Sequence, residues 1–290
     1  MSTKTSAVPI LTDASDLMRR YDVAFCDVWG VVHNGVTAYV EGCARLSAFR
    51  RDGGTVILVT NAPRTAKSVA AVLREKHVPP DCYDAIVSSG EVTVAHVAAR
   101  GLNRVHHIGP DRDLDLFDPM SVDRVPLADA EAIVATGLIN DRDETGEDYR
   151  AQLEPAVARG LELICANPDL VVDVGGTLLA CAGAIAEVYE DIGGTVYWAG
   201  KPHAPAYEMA RRHAERLRGV PIAKDRILAI GDAIRTDIAG AVAFGVDALF
   251  IGQGIHREAV MPDGDLDRDA FDSLLANASH LPIAGMASLR

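Results

Sequence analysis

No apolar stretch in this 290-residue chain reaches the ~18 residues that a membrane-spanning helix needs, so a membrane is not an expected partner. The longest run, residues 174–186, stops at Glu187, and its Gly175 and Gly176 read as a turn ahead of a helix. Residues 1–16 hold no basic segment leading into an apolar run, so export is not expected. Cysteine is sparse. Cys26, Cys43, Cys82, Cys165 and Cys181 are odd in number, scattered and without C-x-x-C spacing, which argues against a zinc site or disulfide framework and for a reducing cytoplasm. Positive charge is in deficit: 28 Lys plus Arg against 41 Asp plus Glu leave a formal net charge of -13, which repels a nucleic-acid backbone. With 14 Pro and 25 Gly the chain is also too poor in both for a low-complexity or collagen-like polymer.

What is present is an ordinary globular composition, 49% hydrophobic and 24% charged, on a chain longer than one core usually fills. Short Val- and Ile-rich runs alternate with segments of helical period, the rhythm of an α/β fold with a parallel sheet and crossover helices. Strands are expected at residues 23–27 (VAFCD), 55–60 (TVILVT), 195–198 (TVYW) and 227–230 (ILAI). Helices are expected at 65–77, 204–217 and 237–244, the last closed by Gly245. Residues 84–192 carry a second set, with strands at 105–108, 132–135 and 162–165 and helices at 92–100, 147–159 and 179–189. The expected division is therefore a core of residues 1–83 plus 193–290 and an inserted α/β domain of residues 84–192. Residues 111–118 read as a solvated loop, Arg45, Arg50 and Arg51 as a solvated helix face, and 269–278 as a helix packed on the core.

Parallel sheets place ligands outside the carboxyl ends of their strands, and four strand ends here carry reactive groups. In FCDVWGVVHNG a strand runs into Asp27, then a turn at Gly30. In VILVTNAPR a strand ends in Thr60 and Asn61 ahead of a helix, whose free N–H groups suit a phosphate. Gly200-Lys201-Pro202 puts a cation on a short turn, yet it lacks the Ser or Thr and the upstream glycine of a Walker loop. In ILAIGDAIRTDIAGA a strand ends in Gly231 and Asp232, with Asp237 at a helix start; with Asp27 these make a hard, oxygen-rich set suited to Mg²⁺. Taken singly, each has an ordinary reading as a turn residue, a helix cap or an exposed lysine.

The joint order of Asp, Thr, Lys and paired Asp resembles the haloacid dehalogenase superfamily, and the insertion between the Thr and Lys motifs resembles its subclass IIA, which includes pyridoxal, phosphoglycolate and nucleotide phosphatases. The resemblance implies a Rossmann-like parallel core with a C2-type α/β cap, and Mg²⁺-dependent hydrolysis of a small-metabolite phosphate monoester. It implies Asp27 as the nucleophile that becomes an aspartyl-phosphate, and Thr60, Asn61 and Lys201 as groups around the phosphoryl oxygens. It also implies Asp27, Asp232, Asp237 and the backbone carbonyl of Trp29 around the metal. Asn167, in the Asn167-Pro168-Asp169 turn, is implied as a substrate-binding residue of the cap, and residues through the Gly175-Gly176-Thr177 turn are expected to face the pocket. By analogy the resemblance also implies a homodimer joined through the caps.

One position departs from the family. Its phosphatases carry a second Asp two residues after the nucleophile, as general acid and base; here that position is Trp29. Losing such a group typically costs ~10²–10⁴ in rate. Three outcomes are open: His33 supplies the proton, the leaving group is acidic enough to need none, or the protein binds a phosphorylated metabolite with little turnover. A metal-independent dehalogenase is a distant alternative, since it has no use for the Gly231-Asp232 motif. His106 and His107 read as a half-exposed strand pair.

Overall fold

A computed structural model describes residues 7–174 and 177–290, so the expected turn at Gly175 and Gly176 lies outside the described residues, as do residues 1–6 of the segment read for export. Strands run at Val23–Cys26 (β1), Thr55–Thr60 (β2), Ala85–Ser88 (β3), Arg104–Ile108 (β4), Asp123–Arg124 (β5), Ala132–Ala135 (β6) and Glu162–Cys165 (β7). They continue at Val171–Val174 (β8), Thr177–Ala180 (β9), Thr195–Trp198 (β10), Ile227–Gly231 (β11), Asp247–Ile251 (β12) and Ala284–Met286 (β13). The chain divides into two compact units, one of Met1–Val59, Arg74–Ala85 and Ala210–Arg290, the other of Thr60–Leu73 and Ile86–Met209.

The first unit is organised by a parallel sheet in the order β13-β12-β11-β1-β2-β3, and the chain passes into the second unit at Thr60, the last residue of β2, and again within β3. Every residue of β1, β2 and β11 is buried, as befits central parallel strands covered on both faces, and this is why they read as unbroken apolar runs. β1 lies between β11 and β2 in register, Cys26 beside Ile230 and Leu58. Asp27 N–H still donates to Ile230 O at 2.8 Å, so the ladder holds the backbone one residue beyond β1.

The second unit carries a five-stranded parallel sheet, β10-β7-β6-β4-β5, and an antiparallel hairpin of β8 with β9. Alternate residues of β6 face opposite cores, as strand geometry dictates. Ile133 and Ala135 pack with Leu153, Ile185 and Tyr189, whereas Ala132 and Val134 pack with Val97, Leu116 and Phe117. Tyr189 is fully buried and its hydroxyl donates to Leu161 O at 2.8 Å, so a large apolar body is interred without an unpaired polar tip. Helix Ser89–Arg100 starts from a Ser88 cap that accepts from Glu91 N–H and ends at Gly101 in the left-handed region, φ 63°.

Three expectations are corrected. The strand Thr195–Trp198 pairs in parallel with β7 and so belongs to the second sheet, where as an edge strand it is only partly buried. The helix expected at 179–189 begins at Ala182, because the apolar residues before it form β9. The acidic segment expected as a solvated loop at 111–118 is a 3₁₀ turn, Asp111–Phe117, that buries Asp113, Leu116 and Phe117. The helix expected at 269–278 is present as Arg268–Ala276.

Candidate active site

Within the first unit, Asp27 leaves the end of β1 and Asp232 the end of the neighbouring β11, so adjacent parallel strands deliver two carboxylates to the same sheet edge. Asp237 joins them from a π-type turn, Ile234–Ile238, that precedes helix Ala239–Phe244. Ligand oxygens of the three lie within 4.8 Å of one another, and Asp232 and Asp237 are only 5% and 4% exposed.

Glycines make this closeness sterically feasible. A Cβ at Gly231 would sit 2.2 Å from Asp237 Cγ, and one at Gly254 would sit 1.8 Å from Asp232 Oδ2. Gly30 turns at φ 75°, and a Cβ there would meet the same Oδ2 at 2.3 Å. Backbone donors complete the frame: Ile255 N–H donates to Asp232 Oδ2 at 2.6 Å and Ala233 N–H to Asp237 Oδ2 at 3.1 Å. At an effective dielectric of about 20, two charges this close repel by about 3 kcal/mol per pair. Three hard oxygen donors under that repulsion fit a divalent cation of the Mg²⁺ type.

Trp29 and His33 occupy the turn after Asp27. Their rings meet edge-to-face with centroids 5.0 Å apart, and a Cβ at Gly35 would lie 2.6 Å from the indole. His33 is buried, its Nδ1 accepts from Gly35 N–H at 2.8 Å, and burial, aided by the Lys76 charge, lowers its pKa to about 4. At neutral pH the ring is therefore uncharged, with its proton on Nε2 by inference from that hydrogen bond. Its one basic nitrogen is taken by the turn, which leaves His33 a structural residue where the sequence had left a proton donor open.

Within the second unit, Thr60, Asn61 and Lys201 gather at the ends of β2 and β10. Thr60 is buried, its Oγ1 3.3 Å from Ala62 N–H. The Asn61 carboxamide grips Lys201, with Oδ1 accepting from Lys201 N–H at 2.7 Å and Nδ2 donating to Lys201 O at 2.9 Å. Nδ2 also donates to Asp169 Oδ1 at 2.9 Å. Both amide hydrogens are thereby used, so the expected substrate-binding role does not suit the Asn61 side chain. Asn167 Oδ1 accepts from Asp169 N–H at 3.2 Å, which closes the Asn167-Pro168-Asp169 turn on itself.

A profile described as haloacid dehalogenase-like hydrolase matches residues 24–122, and a second one, HAD-hydrolase-like, matches 198–275. A solved hydrolase of the haloacid dehalogenase-like family from Brucella suis 1330 is 43% identical, over 97% of this chain and 100% of that one, with a TM-score of 0.84. The chain belongs to the haloacid dehalogenase-like hydrolase family. Its fold is shared more widely. A possible sugar phosphatase from Cytophaga hutchinsonii matches with a TM-score of 0.76 at 18% identity, over 97% of this chain and 98% of that one. A p-nitrophenyl phosphatase from Archaeoglobus fulgidus matches with a TM-score of 0.72 at 21% identity, over 92% and 96%. No protein of curated function matches the chain. No helix among the described residues is long and apolar enough to cross a membrane.

For a member of this family, three features escaped the sequence reading. The glycine collar around Asp232 comes partly from Gly254, whose role no local pattern announces. Asp169 was visible as part of a turn, but its reach to Asn61 spans 108 residues. The third is a chain of buried polar groups: His107 Nε2 lies 2.9 Å from Thr136 Oγ1, and Thr136 hydrogen-bonds Asp113, whose pKa burial raises to about 6.

Proposed function

We propose that this hydrolase removes phosphate from a small phosphorylated metabolite in an Mg²⁺-dependent reaction through an aspartyl-phosphate. The observation that carries the reading is the cluster of Asp27, Asp232 and Asp237 within 4.8 Å. The relatives named as phosphatases support it. An Mg²⁺ ion held by Asp27, Asp232, Asp237 and the Trp29 carbonyl would neutralise charge that otherwise repels a phosphate dianion.

Asp27 attacks phosphorus, and the bond from phosphorus to the ester oxygen breaks as the bond to the Asp27 carboxylate forms. The departing oxygen leaves as an anion and takes its proton from solvent only after release, because the Trp29 indole is no acid of useful pKa and the His33 ring is neutral and engaged. Water then attacks the phosphorus of the aspartyl-phosphate, the bond from phosphorus to the Asp27 oxygen breaks, and the water's proton stays with the phosphate that is released, restoring the Asp27 carboxylate. The family resemblance assigns Thr60 Oγ1 and the Lys201 ammonium to the phosphoryl oxygens. The family resemblance assigns residues 84–192 the part of a cap that selects the leaving group. Five buried free cysteines accord with a reducing, cytoplasmic setting.

The test is phosphate release from a panel of phosphorylated metabolites and p-nitrophenyl phosphate. Release that requires Mg²⁺, stops with a chelator and vanishes in Asp27→Asn supports the reading. Trp29 favours a second reading, a binder of phosphorylated metabolites with little turnover, which tight binding of one panel member without release would establish. Halide release without metal would replace both with a dehalogenase.

A further inference from the structure

The Asn61 carboxamide, just past the end of β2, is where the segments that follow β7 and β10 meet in the second unit. Its orientation is dictated by chemistry. Asp169 presents an acceptor at 2.9 Å, and the Lys201 carbonyl presents another at the same distance, so only Nδ2 can face them. Oδ1 then faces the Lys201 N–H at 2.7 Å. A flipped amide would set oxygen against two acceptors and nitrogen against a donor. Gripping both the N–H and the C=O of one residue fixes the peptides on either side of it, and with them the direction in which its side chain leaves the backbone.

The surroundings permit little else. A Cβ at Gly200 would lie 2.3 Å from Asn61 Oδ1, 2.9 Å from Pro168 Cδ and 2.9 Å from Ser89 Oγ, so the Lys201 turn can approach only as glycine. Asp169 is itself held. Its N–H is closed onto Asn167, its C=O accepts from Gly183 N–H at 3.2 Å, and a Cβ at Gly183 would strike the carbonyls of Pro168 and Asp169 at 2.5 Å.

We propose that Asp169 is a positioning residue for Lys201, acting through Asn61: its carboxylate, as the third partner of the amide, anchors Asn61 where it clamps the Lys201 backbone and so aims the Lys201 ammonium. This rests on the reading of Lys201 as the cation that meets the phosphoryl group. Asp169 does not touch the substrate. Its contribution is geometric, and a displacement of about 1 Å in such a group can cost about 10²-fold in rate.

The test uses the full chain, Asp169→Ala, Asp169→Asn and Lys201→Ala, with p-nitrophenyl phosphate and saturating Mg²⁺. Asp169→Ala should lower kcat by about tenfold or more while KM moves by less than about threefold, the signature of a group that acts mainly in the transition state. Asp169→Asn, which keeps an acceptor for Nδ2, should recover most of that loss. In the Lys201→Ala background Asp169→Ala should cost nothing further. A kcat within about twofold of the parent, or an undiminished loss without Lys201, overturns the proposal. Exchange of the Asn61 side-chain amide protons, followed by NMR without substrate or metal, judges the clamp separately. It should be slow in the parent and in Asp169→Asn and fast in Asp169→Ala; equal exchange in all three overturns the clamp. If the parent releases no phosphate from any ester, the phosphatase reading fails, while the exchange experiment still decides the clamp.

Discussion

On the proposed reading Trp29 sets the chemistry of the turn after Asp27, because an indole stands where the family resemblance calls for a proton-transferring carboxylate. Without that group the expelled oxygen must be stable as an anion, so turnover should depend steeply on leaving-group acidity. p-Nitrophenyl phosphate should be cleaved about 10²-fold or more faster than an alkyl phosphate, comparing kcat/KM. Trp29→Asp should shrink this gap by accelerating the alkyl ester about tenfold or more, and equal ratios in the two proteins would refute the assignment. The carboxylates on which this rests were legible in the sequence as polar residues ending apolar strands. The glycines that let them approach were legible only in part: Gly30 and Gly231 lie beside them, whereas Gly254 comes from a different loop.

At the scale of elements, Ser88 caps helix Ser89–Arg100, accepting from Glu91 N–H at 3.0 Å while donating to Arg64 O. Ser88→Ala removes both bonds and should destabilise the fold by about 1–2 kcal/mol, read as a lower urea midpoint with an unchanged slope. The 3₁₀ turn over Asp111–Phe117 offers a pH-dependent test. Burial, the largest influence on Asp113, raises its pKa from the usual carboxylate range to about 6. The native state thus holds this proton more tightly than the unfolded chain does. The stability so contributed is complete below about pH 4 and is lost as pH rises through about 6. Asp113→Asn should remove about 2 kcal/mol of that decline between pH 4 and 6, measured as unfolding free energy in urea. The buried central strands were readable from their apolar runs. β10 was legible as a strand with the bounds found, but not the sheet it joins, since its pairing partner lies far along the chain; the hairpin of β8 with β9 was missed, since partly exposed strands carry weak periodicity.

For the whole molecule, the proposed Mg²⁺ site at the three clustered aspartates predicts that stability depends on cation supply. Mg²⁺ that binds only the folded chain should raise the unfolding free energy by about 2.7 kcal/mol at a hundredfold excess over its Kd. Thermal unfolding with and without Mg²⁺ should show that upward shift, and Asp232→Asn should abolish it. A shift that survives the substitution would place the cation elsewhere.

Fold class, family and the kinds of polar residue at the strand ends can be read from residue order alone, because burial of parallel strands and the chemistry of their ends leave local patterns that survive in one dimension. Three-dimensional packing was needed to show which sheet Thr195–Trp198 joins, that the Asn61 amide bonds both Lys201 and Asp169, and that a turn occupies the basic nitrogen of His33. Each of these turns on where a single hydrogen bond goes. Such bonds depend on distances of a few tenths of an ångström between segments up to 140 residues apart, and residue order alone does not encode them.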